Sequence, residues 1–575
     1  MVNKPLILLL SVPTDPPTQA SPFETKVRLI LLTLILSLGT APLPSIALRS
    51  MTSARQLLLL ALVGGLTSCE IPSGSTPHGE PSTNRLALSA SHLVAAGRHR
   101  RIVVNYDINA QQYQIFGIDP KNWIDFRFDY ADQPGSQIDA MLFCLDGGNI
   151  VHYPSKVLPM TSSERALRWL NAGQDILKVA IAAAQERGIE AFYSHRMNGS
   201  DRLPNGQPAP IPLKEQHPEW LLDGVWWEPG FWNFAVPEVR AHKLAVLREL
   251  AENYELDGID LDFCRTPPFL PIGHAWKHRD DLTELLRNVR RTFQEVAAKR
   301  GRPLLLSVRV TTSVAGCHYD GIDIETWIRE DLVDLIIIGT HSIDVDLASF
   351  QRITAGTHVQ LYPCMDDEAH APDGYRRPGI EVERGIFTNW WQQGADGVAT
   401  FNWANASVEA CAAVGYPAGP PSHGQAYREI GDPETLRYKN KTFVVPRKFG
   451  GGWRIPWTIY ANNNVESPLP ALLPGGELPV VLAMNVGDDL NTDAHRVHAV
   501  ELRVLLSDST PEDDVEVKLN GLSLPQVRAT PDGWCTFVAE PTDFALGRNL
   551  IHVRRPKSQR SVAVEKVEAH VQYAD

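Results

Sequence analysis

The sequence predicts an α/β fold, a (β/α)8 barrel over residues 99–435 followed by a C-terminal antiparallel β-sandwich over residues 440–575. Three observations carry this expectation. From about Arg101, short β-branched apolar runs alternate with amphipathic helical stretches, the pattern of βα units around a parallel sheet. Eight such runs fit before residue 404, and closing them into a barrel covers both faces of every strand and leaves no edge. Beyond Ala418-Gly419-Pro420-Pro421 the pattern changes to strict alternation, as in Val500-Glu501-Leu502-Arg503-Val504-Leu505 and Val515-Glu516-Val517-Lys518-Leu519, which reads as an antiparallel sandwich. A doubly wound open sheet is disfavoured because no GxGxxG follows the first strand.

Taken in order, the predicted strands are Ile102–Asp107, Ile138–Leu145, Ile189–Ser194, Gly258–Phe263, Pro303–Val310, Leu332–Gly339, Val359–Cys364 and Gly397–Trp403. Several are announced by a helix end and a turn residue: Arg187-Gly188, Asp257-Gly258, Arg300-Gly301 and Asp396-Gly397. Between them, Leu282, Leu285, Leu286, Val289, Phe293 and Val296 form one helical stripe. Val239, Leu244, Leu247, Leu250 and Tyr254 form another. Thr161 with Glu164 predicts a capping box opening the helix that ends before Gly188.

Composition narrows the class. With 575 residues, 43% hydrophobic and 21% charged, the chain holds more than one folded domain. A net charge of -13 argues against a nucleic-acid partner and favours a neutral or polyhydroxylated one. Residues 1–68 read as an N-terminal extension and signal peptide, with apolar runs at Leu6–Leu10, Leu29–Leu38 and Leu57–Leu66, none long enough to span a bilayer. The last run ends Leu66-Thr67-Ser68-Cys69 and resembles the lipobox of bacterial lipoproteins. That resemblance implies export and a lipid anchor on Cys69 at a bacterial membrane, with Met51 as an alternative start. Residues 69–98 then form a Pro-, Ser- and Thr-rich tether. Six further cysteines, at 144, 264, 317, 364, 411 and 535, would be free to form disulfides after export. No Cys/His spacing fits zinc, and neither a metal nor a cofactor is expected.

In such a barrel the chemistry belongs at the C-terminal ends of the strands. The fourth strand, Gly258-Ile259-Asp260-Leu261-Asp262-Phe263, puts Asp260 and Asp262 on one face and the apolar residues on the other, so both carboxylates point inward. Asp262, nearest the mouth, is the leading catalytic candidate. Asp260 is either catalytic or a structural acid paired with an arginine. The run Asp257-Gly258-Ile259-Asp260-Leu261-Asp262 resembles the DGxDxDxE signature of family 18 chitinases, but Cys264 stands at the position of their acidic Glu, and a thiol is a poor proton donor there. A nearer resemblance is to the family 10-like glycosylhydrolases, carried by Asp257-Gly258, Asp262 and Arg265, by Arg196-Met197-Asn198 after strand three and by Phe401-Asn402-Trp403 at strand eight. It implies a TIM barrel acting on a glycosidic substrate.

Glycosidic hydrolysis needs two carboxyl groups. The second is sought among Asp107, Asp146, Asp344 and Asp366-Asp367-Glu368, with Asp366 favoured because it falls just past strand seven. Around these acids Arg196, Asn198, Arg265, Arg309, His341, Asn402 and Trp403 are candidate substrate contacts. Arginines here either neutralise the acids or receive an anionic sugar. Trp220, Trp226, Trp227, Phe231 and Trp232 crowd the loop after strand three, with Trp227 a candidate stacking residue and two or three of the five expected to pack as loop core. Trp390 and Trp391 read as structural. The favoured function is hydrolysis of a glycosidic bond in an exported polysaccharide or oligosaccharide; the rival is a glycan-binding barrel without catalysis.

Overall fold

Eight parallel strands close on themselves in sequence order: β1 (Ile102–Ile108), β2 (Ile138–Leu145), β3 (Glu190–Arg196), β4 (Gly258–Asp262), β5 (Leu305–Val310), β6 (Leu335–Ile338), β7 (Gln360–Asp366) and β8 (Val398–Phe401). The computed structural model describes residues 87–574, apart from 109–118, 146–147, 200, 202–206, 226–229, 340–342, 367–374, 376, 404–408, 410–411, 413–422, 448–466, 508–513 and 559. The described residues belong to one compact unit, Glu80–Asp575. Cys69 lies outside them, as do the first three apolar runs.

Strand alternation sorts the barrel into two packed sets. Outward residues such as Val104, Ile259, Leu261, Leu306, Val308, Ile336 and Ile338 join the helices in one large core. Inward residues Val103, Leu142, Phe192, Leu305, Leu335, Ile337, Tyr362 and Phe401 fill the axis. Phe192 reaches the axis because its neighbour on β4 is glycine: a Cβ on Gly258 would stand 2.1 Å from its ring. At the N-terminal end, buried Arg100 pairs with Glu190 at 2.5 Å and donates to the carbonyls of Ala95 and Arg98, tying the helix Ala90–Ala96 across the barrel floor. Nearby, buried Asp334 accepts from Arg290 (2.9 Å), from the Leu306 amide (2.7 Å) and from His92 and His358.

The helix Arg279–Arg300 buries all six residues of its predicted stripe. Leu244 is only partly buried in the helix Pro237–Asn253, and Tyr254 sits just past its end. The capping box is not formed. Two helices occupy that stretch, Glu164–Asn171 and Ile176–Glu186. Ser163 is the first N-cap, without a side-chain cap bond, while the Thr161 hydroxyl accepts from the Ser163 amide instead. Asp175 caps the second helix by accepting from Leu177 and Lys178.

The C-terminal strands β9 (Lys441–Val444), β10 (Ala471–Leu473), β11 (Gly476–Val486), β12 (Val497–Leu506), β13 (Glu516–Leu519), β14 (Leu522–Ser523), β15 (Gln526–Ala529), β16 (Trp534–Ala539), β17 (Gly547–Arg555) and β18 (Val562–Tyr573) make two antiparallel sheets. One runs β10-β18-β12-β16-β15 with β9 also on β18, the other β11-β17-β13-β14. Their inner faces enclose a second core around Leu482, Leu502, Phe537 and Val553. The sandwich is pressed onto the barrel helix Ile380–Gln392 at two glycines: a Cβ on Gly385 would lie 2.2 Å from the Thr442 carbonyl oxygen, and one on Gly487 would lie 2.7 Å from that of Thr388. Backbone meets backbone there, so neither side can yield without moving a strand or a helix. Gly385→Ala is therefore expected to cost about 1–3 kcal/mol, the range for overpacking a closed interface. A urea midpoint unchanged from the parent chain would show that this seam tolerates a methyl group.

Candidate active site

The site is built from the last inward residues of the strands. β1 ends in Asp107, β3 in Arg196, β4 in Asp262, β5 in Arg309 and β7 in Asp366, and register sets Arg196 beside Asp262 and Asp262 beside Arg309. One layer below, Asp260 lies between Ser194 and Ser307, accepting from their hydroxyls at 2.7 and 2.8 Å, and Asn105 donates to Ser194 at 3.1 Å. Burial pushes the Asp260 carboxyl up to about 6, opposed by Arg309. It has no exposure to solvent, so its place is inside the barrel packing and not at the mouth.

Asp262 is equally enclosed, and both of its oxygens are engaged. Oδ1 accepts the backbone amides of Cys264 (2.9 Å) and Arg265 (2.8 Å), which fixes the turn leaving β4, and Oδ2 forms a buried ion pair with Arg309. A carboxylate held this way shapes the site and keeps a guanidinium in register. Arg309 and Arg265 both lie against the ring of Phe401, at 4.3 and 5.5 Å from its centroid.

Asp107 differs from both. Its side chain is 24% exposed and takes Nη2 of Arg196 at 2.5 Å and Nδ2 of Asn402 at 3.2 Å. Asn402 also accepts the Asp107 amide at 3.2 Å, so one side chain grips both the backbone and the carboxylate. Burial alone would raise this carboxyl, but Arg196, Arg265, Asn402 and Arg309 together hold it below the usual range, and it stays ionised. Asn402 adopts a φ of 59°, a left-handed conformation that asparagine tolerates better than most residues. The same arginine-rich field does not activate the neighbouring thiol: burial drives Cys144 well up, against the pull of Arg196.

Several sequence expectations change here. Trp403 is sealed in the core, stacked on His423 at 4.7 Å and edge-on to Phe387, because the left-handed turn at Asn402 rotates the chain off the inward face. Asn198 is fully buried as a brace, donating to the Pro268 carbonyl and accepting the Trp232 amide, each at 2.9 Å. Asp366 is the last residue of β7 and not a loop acid, and it is buried. Asp344 lines a cavity shared with the sandwich. Of the aromatic loop, Phe231 and Trp232 are core, whereas Trp220 stacks on His217 at 4.0 Å and is half-buried. Trp226, Trp227, His341, Asp146, Asp367 and Glu368 lie outside the described residues. Cys144, Cys264, Cys317, Cys364 and Cys535 are free buried thiols, and Cys411 lies outside the described residues. Among the described residues no cluster of His, Cys, Asp and Glu could hold a metal ion.

A network behind the mouth was not anticipated. Lys243 is fully buried and contacts the Gly148 carbonyl, Asn149 Oδ1 and His195 Nε2, each at 3.2 Å. Asn149 donates to both oxygens of Asp201 and accepts Trp232 Nε1 at 2.8 Å, while Lys214 meets Asp201 at 2.6 Å. These bonds fasten the loops after β2 and β3 to each other. The signal was present in the sequence, since Lys243 falls at helical spacing between Val239 and Leu247 on an otherwise apolar stripe.

No family model and no curated protein matches the sequence. Among solved structures the chain is similar to α-L-fucosidase isoenzyme 2 from Paenibacillus thiaminolyticus, at 12% identity and a TM-score of 0.37 over 60% of this chain and 51% of that one. It is also similar to the PgaB (BpsB) glycoside hydrolase domain from Bordetella bronchiseptica, at 12% identity and a TM-score of 0.36 over 58% and 99% of the two chains. A third is the noncanonic maltogenic α-amylase AmyB from Thermotoga neapolitana, at 11% identity and a TM-score of 0.35 over 79% and 99%. The chain thus spans about half the length of the fucosidase. At these identities and TM-scores, any reaction has to be argued from this chain's own residues.

Two outcomes are expected. Arg309→Met leaves the Asp262 carboxylate buried without its cation and should cost about 3–5 kcal/mol. Arg196→Met should cost clearly less, because Asp107 keeps Asn402 and water; urea denaturation ranking the two the other way would contradict the geometry. Lys243 gives a pH signature. Burial lowers its ammonium to about 7, against the attraction of Asp201, while the unfolded chain keeps this proton until about 10.4. Between those values the unfolded state binds more protons, so this group's penalty is full below pH ~7 and disappears as pH rises towards ~10. Stability of Lys243→Met should rise less steeply than the parent's across that window; parallel curves would remove Lys243 as the cause.

Proposed function

We propose that the chain is a glycoside hydrolase working at the C-terminal mouth of its barrel, with Asp107 as the carboxylate that meets the substrate. One observation carries the reading: among the described residues Asp107 is the strand-end acid that is both partly exposed and held ionised, by Arg196 and Asn402. An ionised carboxylate suits the nucleophile or the base of glycosidic hydrolysis. Asp366 is our choice for the second carboxyl. β1 and β7 flank β8, so two strand spacings, about 10 Å, separate their backbones, a spacing compatible with the roughly 5–9.5 Å between carboxyls that such acid pairs use. In this reading Asp262 is a positioning residue that holds Arg309 and the β4 turn, and Arg265 and Arg196 orient the sugar. The polyhydroxylated substrate class follows from the acidic chain and the polar mouth. Export, with a lipid anchor on Cys69, is supported by the lipobox-like Leu66-Thr67-Ser68-Cys69.

A second reading, a glycan-binding barrel without catalysis, is favoured by Cys264 at the chitinase acid position and by the fully engaged Asp262. Turnover separates the two. Release of reducing ends from a panel of neutral, uronic and sulfated glycans is expected from the parent chain. Asp107→Asn should lower it by about 10²–10⁴-fold, the range for losing a positioned acid or base, while glycan binding persists. Binding without release in the parent chain would favour the second reading, and neither binding nor release would sink both.

A further inference from the structure

A cavity of about 490 Å³ lies at the seam between barrel and sandwich, and none of Asp107, Asp262 and Asp366 lines it. Thr312 and Ser313 from the loop after β5, Asn389 and Gln393 from the end of the helix Ile380–Gln392, Asn485 of β11 and Arg548 of β17 supply its polar wall. β11 buries Leu482, Met484 and Val486 in the sandwich core, so Ala483 and Asn485 turn the other way, towards the barrel. The two walls are fastened beside the opening. Gly487 lies against the backbone of Thr388, Gly385 against that of Thr442, and Asn389 Nδ2 donates to the Asn485 carbonyl at 3.1 Å. The space is preformed, and its size is that of an ordinary small-molecule site, roughly 300–1,000 Å³.

The polar groups facing it are unevenly used. Asn389 Oδ1 is buried and accepts no hydrogen bond. The Gln393 amide nitrogen is committed to the Asn389 carbonyl at 3.0 Å, which leaves its oxygen as an acceptor. Among the described residues, the Asn485 amide makes no side-chain bond and the exposed Arg548 guanidinium makes no ion pair. Asp344 and Asp346 lie on the same wall, so two carboxylates against one guanidinium disfavour an anionic ligand. Open acceptors, the Asn389 and Gln393 oxygens, face open donors, the Arg548 guanidinium and the Asn485 amide nitrogen, and the matching ligand is one whose groups both donate and accept, as hydroxyls do. Side-chain amides, each pairing a donor with an acceptor, suit adjacent hydroxyls of a ring.

We propose that this seam is a second carbohydrate site, taking a neutral mono- or disaccharide independently of whatever the mouth does. Isothermal titration of the full chain with maltose, cellobiose and N,N′-diacetylchitobiose tests it, alongside amide hydrogen exchange. At least one sugar should bind the parent chain, with slowed exchange in residues 385–393 and 483–487. Asn485→Trp, which fills the cavity, should weaken binding about tenfold or more, and Asp107→Asn should leave it intact. If Asn485→Trp fails to fold, Arg548→Ala at an exposed position carries the same comparison. Binding of none of the three sugars overturns the proposal. So does binding kept undiminished in both seam variants, with protection confined to the strand ends.

Discussion

Side chains fill the axis of this barrel, and every carboxylate that the strand alternation turns inward has to find partners within reach of its own layer. β4 contributes two such acids at successive levels. The lower one, Asp260, is met by hydroxyls from both neighbouring strands, and the upper one, Asp262, by Arg309 and two backbone amides. The serines at 194 and 307 and the arginine at 309 answer to β4 through the shared register. Had β4 slipped by one residue, its acids would face the helices and its leucine and isoleucine the axis.

This demand also shapes the mouth. Among the described residues, Arg196, Arg265 and Arg309 stand against Asp107, Asp262 and Asp366, an even balance of charge at the strand ends. Among the described strand-end acids Asp107 combines charge with access, because it sits on β1 at the rim and is steadied from β3 and β8 at once. The described part of the mouth therefore sets arginines and acids against each other in equal number, with Asp107 as its accessible carboxylate.

Much of this was legible from side-chain period alone. Two-residue alternation correctly turned Asp260 and Asp262 inward, and 3.6-residue spacing marked the helix Arg279–Arg300. Legibility failed where the backbone leaves a regular path. Alternation carried past Phe401 assigns Trp403 to the axis, yet Asn402 turns left-handed and delivers the indole to the core. The same extension past Arg196 assigns Asn198 to substrate, although the chain has already left the strand to brace the next loop. Strand length was another blind spot: pairing with β8 carries β7 on through Asp366, a tertiary contact that no local pattern encodes. The Lys243 network joins loops far apart in sequence, and one charged residue on an apolar stripe was its only local trace.

Asn402 meets two demands that rarely coincide. Its backbone needs a residue at ease with positive φ, which glycine satisfies best, and its side chain needs a donor and an acceptor on one short stem, which glycine lacks. Aspartate would keep the turn but set two anions face to face, and glutamine would keep the amide but strain the turn. Position 402 is thus a lock with a single key. A descendant that replaced it by glycine would retain the barrel and loosen Asp107, leaving it to its arginines, whereas one that kept asparagine would be preserving the acid's placement along with the turn.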